Sequence, residues 1–165
     1  MTSAAYFRAL SILHLALMLG VALFSIISFI LIYTGSFPPV DEATGKIFSI
    51  VAAVVALIMV VVSKIVFKKK MLLVNAENDL QNKLNQYRAA LIVQYAMLEF
   101  PALFAVIAAL LSGNKILLLL VIGLLAIMFA QRPTLSKALS ELDLTDQESI
   151  KLEDPDQVLS DDLSM

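Results

Sequence analysis

The sequence contains no cysteine and only one histidine, His14. Without cysteine, disulfide bonds, thiolate catalysis and thiolate-bound zinc or iron–sulfur sites are all excluded. A single histidine leaves carboxylates as the main ligands for a metal ion, so we predict no metal site and no cofactor. The chain also lacks a nucleotide-binding loop, a catalytic triad and a zincin motif. These absences predict that the protein is not an enzyme.

Charge is scarce as well, since only 16% of the 165 residues are charged while 60% are hydrophobic. The mean hydropathy of +0.89 exceeds that of a typical soluble domain. The chain is therefore predicted to be an integral membrane protein with the lipid bilayer as its solvent. The formal net charge of −2 makes nucleic acid an unfavourable partner, and none is predicted.

Four apolar stretches are predicted to span the membrane as helices, because an isolated segment in hydrocarbon must satisfy its own backbone groups. "TGSFPP" at 34–39 ends the first stretch and "SGN" at 112–114 ends the third. The polar sequence after the second stretch predicts helical extensions that turn near 75–78. These features predict an all-α, up-down-up-down four-helix bundle in residues 1–133. The predicted spans are 9–33, 47–67, 89–111 and 116–131.

Lysine and arginine are distributed unevenly between the two predicted sides. Ten of the twelve basic residues fall on one side, and only Lys46 and Lys115 fall on the other. The positive-inside rule then places both termini and the loop after the second span in the cytoplasm, and the predicted location is the inner cell membrane. Lys68, Lys69 and Lys70 are predicted to anchor the second span at the lipid headgroups.

Glu99 is the one carboxylate within a predicted span. It lies eleven residues after Arg88, about 16 Å along the helix, which places it near the midplane of the bilayer. Arg88, Tyr95 and Glu99 share one stripe, so a bond from the phenol to the carboxylate is geometrically available. Pro101 predicts a kink, which would free the carbonyl of Met97. This carboxylate either carries a proton or holds two helices in register.

The first span has a weaker polar face. Ser11, His14, Met18, Ala22 and Ser25 lie within about 60° of one another on a helical wheel, and this face is predicted to turn inward. His14 is the ionisable member of the set. A link between His14 and Glu99 is a hypothesis, because it rests only on both being ionisable groups on inward faces.

Residues 134–165 are predicted to form an acidic, partly helical cytoplasmic tail. Leu135, Leu139 and Leu142 have the spacing of a short amphipathic helix, and "TDQE" at 145–148 has the form of a capping box for another helix. The final segment, from Asp154 onwards, has no apolar pattern and is predicted to be solvated. A return of the tail onto Lys68–Lys70 is the alternative.

The run "YRAALIVQYAMLEFPALF" at 87–104, followed by "QRPT" at 131–134, is similar to a pattern in small, uncharacterised four-span bacterial membrane proteins. That resemblance implies a fold and no activity. A single acid in an apolar hairpin also resembles the proteolipid subunits of rotary ATPases. Those subunits have glycine-rich inner helices, whereas this chain has five glycines in total. No site residue is carried over from them.

Three functions are compatible with these features. The first is a non-enzymatic membrane subunit or interaction protein, with a homo-oligomer or a membrane-protein partner, and it is favoured because polar groups are few. The second is a small conductor of protons or ions, or a transport-related protein, that uses Glu99. The third is a membrane-embedded enzyme, and it is disfavoured because catalysis requires several convergent polar groups.

Overall fold

The structure is a computed structural model that describes residues 2–159, and every regular element in that range is a helix. In chain order the helices are α1 Ser3–Thr34, α2 Glu42–Asn75, α3 Leu80–Ser112, α4 Ile116–Ala130, α5 Leu135–Glu141 and α6 Asp146–Glu153. The all-helical prediction is confirmed for this range.

Three of these helices, α1, α2 and α3, are long and apolar enough to cross a membrane. Helix α4 has 15 residues and is about 22 Å long, which is less than the roughly 30 Å of a hydrocarbon core. It qualifies only when it is counted with α5 as one span, and the two helices meet at a bend of 76°. The structure therefore contains three candidate spans, or four with the bent pair.

The helices end at the turn residues that were identified in the sequence. After α1, Gly35 has a φ of 67°. The amide of Gly35 donates to the carbonyl of Ile32, and the amide of Ser36 donates to the carbonyl of Leu31. These two bonds form a Schellman motif, which glycine favours because its φ is positive. The predicted extensions of the second and third spans are also confirmed, since α2 ends at Asn75 and α3 begins at Leu80.

The candidate spans carry most of their large apolar side chains on the outside. Only 11% of the most apolar window of α1 and 17% of that of α2 is buried, whereas half of the α3 window is buried. Leu23 on α1, Leu57 on α2 and Ile122 on α4 are examples of exposed aliphatic side chains. In water such a surface would be unfavourable, and in a bilayer it contacts lipid.

The chain forms two compact units, and α1, α2 and α3 each contribute to both. The apolar unit comprises Ala16–Lys64 and Tyr95–Gln131. Its core is rich in alanine along α3, and small side chains there let neighbouring helices approach closely. The buried residues of this core are Val21, Ala52, Ala56, Ala102, Ala105, Val106, Ala108, Ala109, Leu117, Leu118, Val121 and Leu124.

The terminal unit comprises Met1–Leu15, Ile65–Gln94 and Arg132–Met165. Its described part brings the start of α1, the hairpin of α2 and α3, and the helices α5 and α6 into one core. The buried apolar residues of this core are Tyr6, Leu10, Met71, Val74, Leu84, Tyr87, Ala90, Leu91, Ala138, Leu142 and Leu152. The domain boundary at residue 133 stays a prediction.

The inward face of α1 differs from the predicted polar stripe. Ser11 is exposed, and Met18, Ala22 and Ser25 are only half-buried. The hydroxyl of Ser25 donates to the carbonyl of Val21 at 2.7 Å, so it is satisfied within its own helix. Because this hydroxyl is satisfied within α1, Ser25 need not lie on the inward face, which contains both apolar and polar residues. The fully buried positions of α1 are Ser3, Tyr6, Leu10, His14, Val21 and Ser28.

Candidate functional site

Tyr95 is fully buried in the apolar unit. Its hydroxyl donates to the backbone carbonyl of Gln131 at 3.1 Å, just after the end of α4. The predicted bond from Tyr95 to Glu99 is replaced by this contact, because the carbonyls of the last turn of a helix lack partners within that helix. Tyr95 therefore connects α3 to the C-terminal end of α4.

Glu99 lies on α3 and is half-buried. Among residues 2–159, no hydrogen bond or ion pair to its carboxylate is found. Pro101 lies inside α3, and the helix continues through it to Ser112 without a break. The structure therefore places a carboxylate with no described partner within a candidate span.

The other predicted site residues belong to the terminal unit. His14 is 4% exposed, so its inward position is confirmed. Arg88 is half-buried on α3. Lys68 and Lys69 are exposed on α2, and Lys70 is half-buried there. The predicted link between His14 and Glu99 is untested and stays a hypothesis.

A polar network of the terminal unit is centred on Lys83, which is 6% exposed. Its ammonium donates to the carbonyl of Asp143 at 2.7 Å and lies 3.4 Å from the Glu148 carboxylate. A buried ammonium is tolerated only when its donors are satisfied. Lys83 on α3 therefore fixes α6, and the loop before it, in place.

Two further contacts join α5 to the hairpin of α2 and α3. The hydroxyl of Tyr87 donates to the carboxylate of Glu141 at 2.9 Å. The side-chain amide of Asn75 donates to the carbonyl of Glu141 at 3.2 Å and accepts from the amide of Asp143 at 3.1 Å. The side-chain amide of Asn75 thus donates one hydrogen bond to the backbone and accepts one from it, as a neighbouring β-strand would. It holds the chain between α5 and α6 against the end of α2.

The start of α1 is held by the same tail. The amides of Ser3 and Ala4 donate to the carbonyls of Gln157 and Pro155, at 3.2 and 3.3 Å. These amides belong to the first turn of a helix, where donors have no partner within the helix. The hydroxyl of Ser3 also donates to the carbonyl of Leu152. The tail thus caps α1.

Residues 154–156 and 158 are exposed, which agrees with the prediction of a solvated segment. The segment is nevertheless bound to α1, and Val158 forms an isolated bridge with Thr2. Within the described residues no hydrogen bond or ion pair joins the tail to Lys68–Lys70, and the tail contacts Lys83 instead. The apolar residues Leu142 and Leu152 enter the core of the unit, and this burial favours docking. Residues 160–165, which belong to the same prediction, lie outside the described residues.

The capping box of α6 is confirmed. The hydroxyl of Thr145 accepts from the amide of Glu148, and the Glu148 carboxylate accepts from the amide of Thr145. Burial raises the pKa of Glu148, but the hydrogen bonds from Thr145 and the nearby Lys83 ammonium outweigh burial and hold this pKa below its usual value. One carboxylate thus caps α6 and binds α3.

The sequence predicted neither the role of Lys83 nor that of Asn75. Lys83 counted there only as a basic residue on the cytoplasmic side, and Asn75 only marked a turn. The partner of Lys83 lies 60 residues further along the chain, and the partner of Asn75 lies 66 residues further along. One feature of the sequence could have indicated this docking site. Leu80 and Leu84, outside the predicted span, have helical spacing and form an apolar helix face that another segment must bury.

Within residues 2–159, no group of three or more histidine, cysteine, aspartate or glutamate side chains is placed to hold a metal ion. No protein-family model, no curated protein and no solved structure matches this chain. The resemblance to small four-span bacterial membrane proteins therefore stays a prediction. The described polar groups form a structural network around Lys83 in the terminal unit and a smaller set of hydrogen bonds in the apolar unit, such as those of Tyr95 and Asn114.

Proposed function

We propose that the protein is a multi-pass integral membrane protein with both termini in the cytoplasm, folded as an up-down-up-down four-helix bundle. We further propose that it acts without catalysis, as a membrane subunit or interaction protein in the cell membrane. The observation that carries this proposal is the exposure of the most apolar windows of α1 and α2, of which only 11% and 17% are buried. Such a surface fits lipid, a second copy or the helices of a partner.

The polar groups support the same proposal. The network around Lys83 is built from hydrogen bonds between chain segments, so its groups are satisfied by one another. In the apolar unit, Tyr95 is bonded to a backbone carbonyl. An active site requires several polar groups that converge on one open space. The described arrangement is that of a scaffold with a firmly docked tail.

Insertion and orientation are tested with single cysteines, for which this cysteine-free chain is suited. We expect Ser36→Cys to react with a membrane-impermeant maleimide in intact cells, and Asn78→Cys to react only after the cells are opened. Leu57→Cys is the control, because Leu57 is 70% exposed in the protein and would be shielded only by lipid or by a partner within the membrane. Labelling of Leu57→Cys in intact or opened cells would contradict insertion.

The interaction role is tested by placing a photo-crosslinking residue at Leu23 or Leu57, two exposed positions of α1 and α2. Irradiation of native membranes should give an adduct of one defined mass, either with a second copy or with one partner protein. The same residue at the fully buried Ala105 is the control and should give no intermolecular adduct. Adducts with lipid alone at both exposed positions would refute the interaction role.

A small proton or ion conductor is the second candidate function, favoured by the half-buried Glu99 without a described partner. Protein reconstituted in liposomes should then carry a proton flux that Glu99→Gln abolishes. Glu153→Gln, at an exposed position of α6, is the matched control and should leave the flux unchanged. An absence of flux in the unmodified protein would exclude this candidate and leave the interaction role.

A further inference from the structure

A polar recess lies at the end of the apolar unit where α2 and α4 begin. It encloses about 310 Å³. The structure of this end is closely fitted, since a Cβ on Gly45 would meet the Cβ of Ser112 at 3.3 Å. The polar residues that line the recess are Glu42, Lys46, Ser49, Ser112 and Asn114.

The recess contains one acid and one base. Glu42 and Lys46 lie on successive turns of α2 and both are exposed. In the part of the chain that the structure describes, the ion pairs Lys83 with Glu148 and Lys137 with Glu141 involve neither Glu42 nor Lys46, so both charges of the recess are open to a ligand.

The neutral groups of the recess are already fixed. The amide of Asn114 approaches the hydroxyl of Ser49 at 3.4 Å, and its carbonyl oxygen caps Ile116. The recess therefore offers a positive and a negative group on a rigid wall.

An apolar groove lies between α2 and α4, on the same face of α2 as the recess. It has a volume of about 470 Å³. On α2, positions 42, 46 and 49 of the recess and positions 53, 56 and 60 of the groove are three or four residues apart, so they form one continuous helix face. Residues of both walls of the groove include Ala53, Ala56, Val60, Leu119, Gly123 and Ile127.

The groove covers most of the depth of one membrane leaflet. From Ala53 to Val60 α2 rises about 10 Å, and from Leu119 to Ile127 α4 rises about 12 Å, compared with about 15 Å for half of the hydrocarbon core. The groove is open at Gly123, since a Cβ added there would meet no atom within 4 Å. An open apolar channel of this depth accommodates an acyl chain.

We propose that the recess and the groove together, which we call the seam, bind one phospholipid with a zwitterionic headgroup that carries a primary amine, as in phosphatidylethanolamine. The phosphate lies at Lys46, the ammonium lies at Glu42, and one acyl chain lies in the groove between α2 and α4. The neutral sum of the two protein charges favours a zwitterion over an anionic headgroup, which Glu42 repels. The inference rests on the proposed membrane insertion and goes beyond the interaction role.

A second groove in the apolar unit lacks the charged residues that the seam contains. It lies between α1 and α4 and has a volume of about 320 Å³. Its single polar side chain, Ser25, is bonded to the carbonyl of Val21. This groove contains no charged residue to select a headgroup, so it carries no proposal.

The test is native mass spectrometry of the full-length protein in detergent, with one lipid added at a time. We expect one phosphatidylethanolamine to be retained per chain, about tenfold more strongly than phosphatidylglycerol. Free phosphoethanolamine at the same concentration should not be retained, because it lacks the acyl chain. Equal retention of the two lipids by the unmodified protein would overturn the proposal, as would retention of the free headgroup.

Headgroup recognition is tested by two substitutions and one control. Lys46→Gln should weaken retention of phosphatidylethanolamine about tenfold. Glu42→Gln should shift the preference to phosphatidylglycerol, because the repulsive charge is gone. Lys115→Gln removes a cation at the same end, where Lys115 lies over the ring of Tyr33 and does not line the recess. An equal effect of Lys115→Gln and Lys46→Gln would overturn the assignment.

The acyl-chain groove is tested by filling it. Gly123→Leu should lower retention about tenfold, and Ala53→Leu is a second filling variant on the opposite wall. Gly20→Leu is the matched control, because Gly20 lies on α1 and also has open space around a new Cβ. Retention that is the same in Gly123→Leu, Ala53→Leu and Gly20→Leu would overturn the proposal.

Failure of lipid retention would be distinguishable from failure of insertion. Maleimide labelling of Ser36→Cys and Asn78→Cys reports the topology independently of any bound lipid. Correct topology without selective retention would refute only the lipid site.

Discussion

Replacement of Lys83 by methionine is the sharpest test of the docked tail. Methionine keeps an unbranched, apolar stem of similar length, so the packing of the buried part of the side chain is preserved. The ammonium is lost, together with its 2.7 Å bond to the carbonyl of Asp143 and its 3.4 Å contact with Glu148. Glu148 keeps its bonds to Thr145.

The expected effect follows from burial. A hydrogen bond to a charged group contributes about 1.5 to 3 kcal/mol, and the Lys83 side chain is only 7% exposed, so we take about 2 kcal/mol. That free energy corresponds to about a 30-fold increase in the opening equilibrium of the tail. Lys137→Met is the matched control, because its contact with Glu141 is longer, 3.9 Å, and lies at the surface. A surface pair contributes about 0.3 to 0.5 kcal/mol, which is about twofold.

The assay is amide hydrogen exchange of α6, measured by mass spectrometry on the full-length protein. When the helix opens and closes faster than exchange occurs, the rate reports the opening equilibrium. We expect α6 to exchange about 30-fold faster in Lys83→Met and about twofold faster in Lys137→Met. If both variants exchange alike, or if Lys83→Met changes the rate less than about threefold, the assignment of the tail anchor to Lys83 is wrong.

Three further predictions concern packing, hydrogen bonding and pH. Ala105→Leu should overpack the core of the apolar unit and destabilise it by about 1 to 3 kcal/mol or more, whereas Ala126→Leu at an exposed position should not, as measured by unfolding in mixed micelles. Tyr6→Phe should destabilise the terminal unit by about 1 kcal/mol in thermal unfolding, because the hydroxyl donates to the carbonyl of Leu84 at 2.7 Å. Because the pKa of Glu148 is lowered on folding, its stabilisation should be constant above its ordinary value of 4.5 and lost as the pH falls through the lowered value. Exchange of α6, corrected for its intrinsic pH dependence, should show this loss, and Glu148→Gln should remove it.

The tail shows why part of the site escaped sequence reasoning. Its local features were readable, because the capping box of Thr145 and Glu148 depends on residues three apart. Its docking was not, because the partners of Glu141 and Asp143 lie on α2 and α3, far away in the chain. Composition alone favoured solvent for an acidic segment, whereas a few buried residues such as Leu152 are enough to hold it.

The inward face of α1 could not be predicted from the sequence for a different reason. In an apolar helix, a polar stripe need not be the buried one, because serine bonds to its own helix, as Ser25 does to Val21. With apolar residues on every side, the sequence carries no contrast between faces. The position of Glu99 at the edge of the α3 core has the same origin. Only the neighbours of a helix decide which side is covered.

By itself, the sequence determined the properties that depend on short range or on composition. The absence of cysteine is a matter of composition, whereas the helices long enough to be candidate spans, the turn at Gly35 and the ends of α2 and α3 follow from local backbone chemistry and from the cost of unsatisfied backbone groups. The tertiary structure alone decided which helix faces are buried, where the hydroxyl of Tyr95 is bonded, and that the tail caps α1 and binds Lys83. Those outcomes depend on contacts between distant segments, whose free energy is set by packing and by the exclusion of water and not by any local pattern.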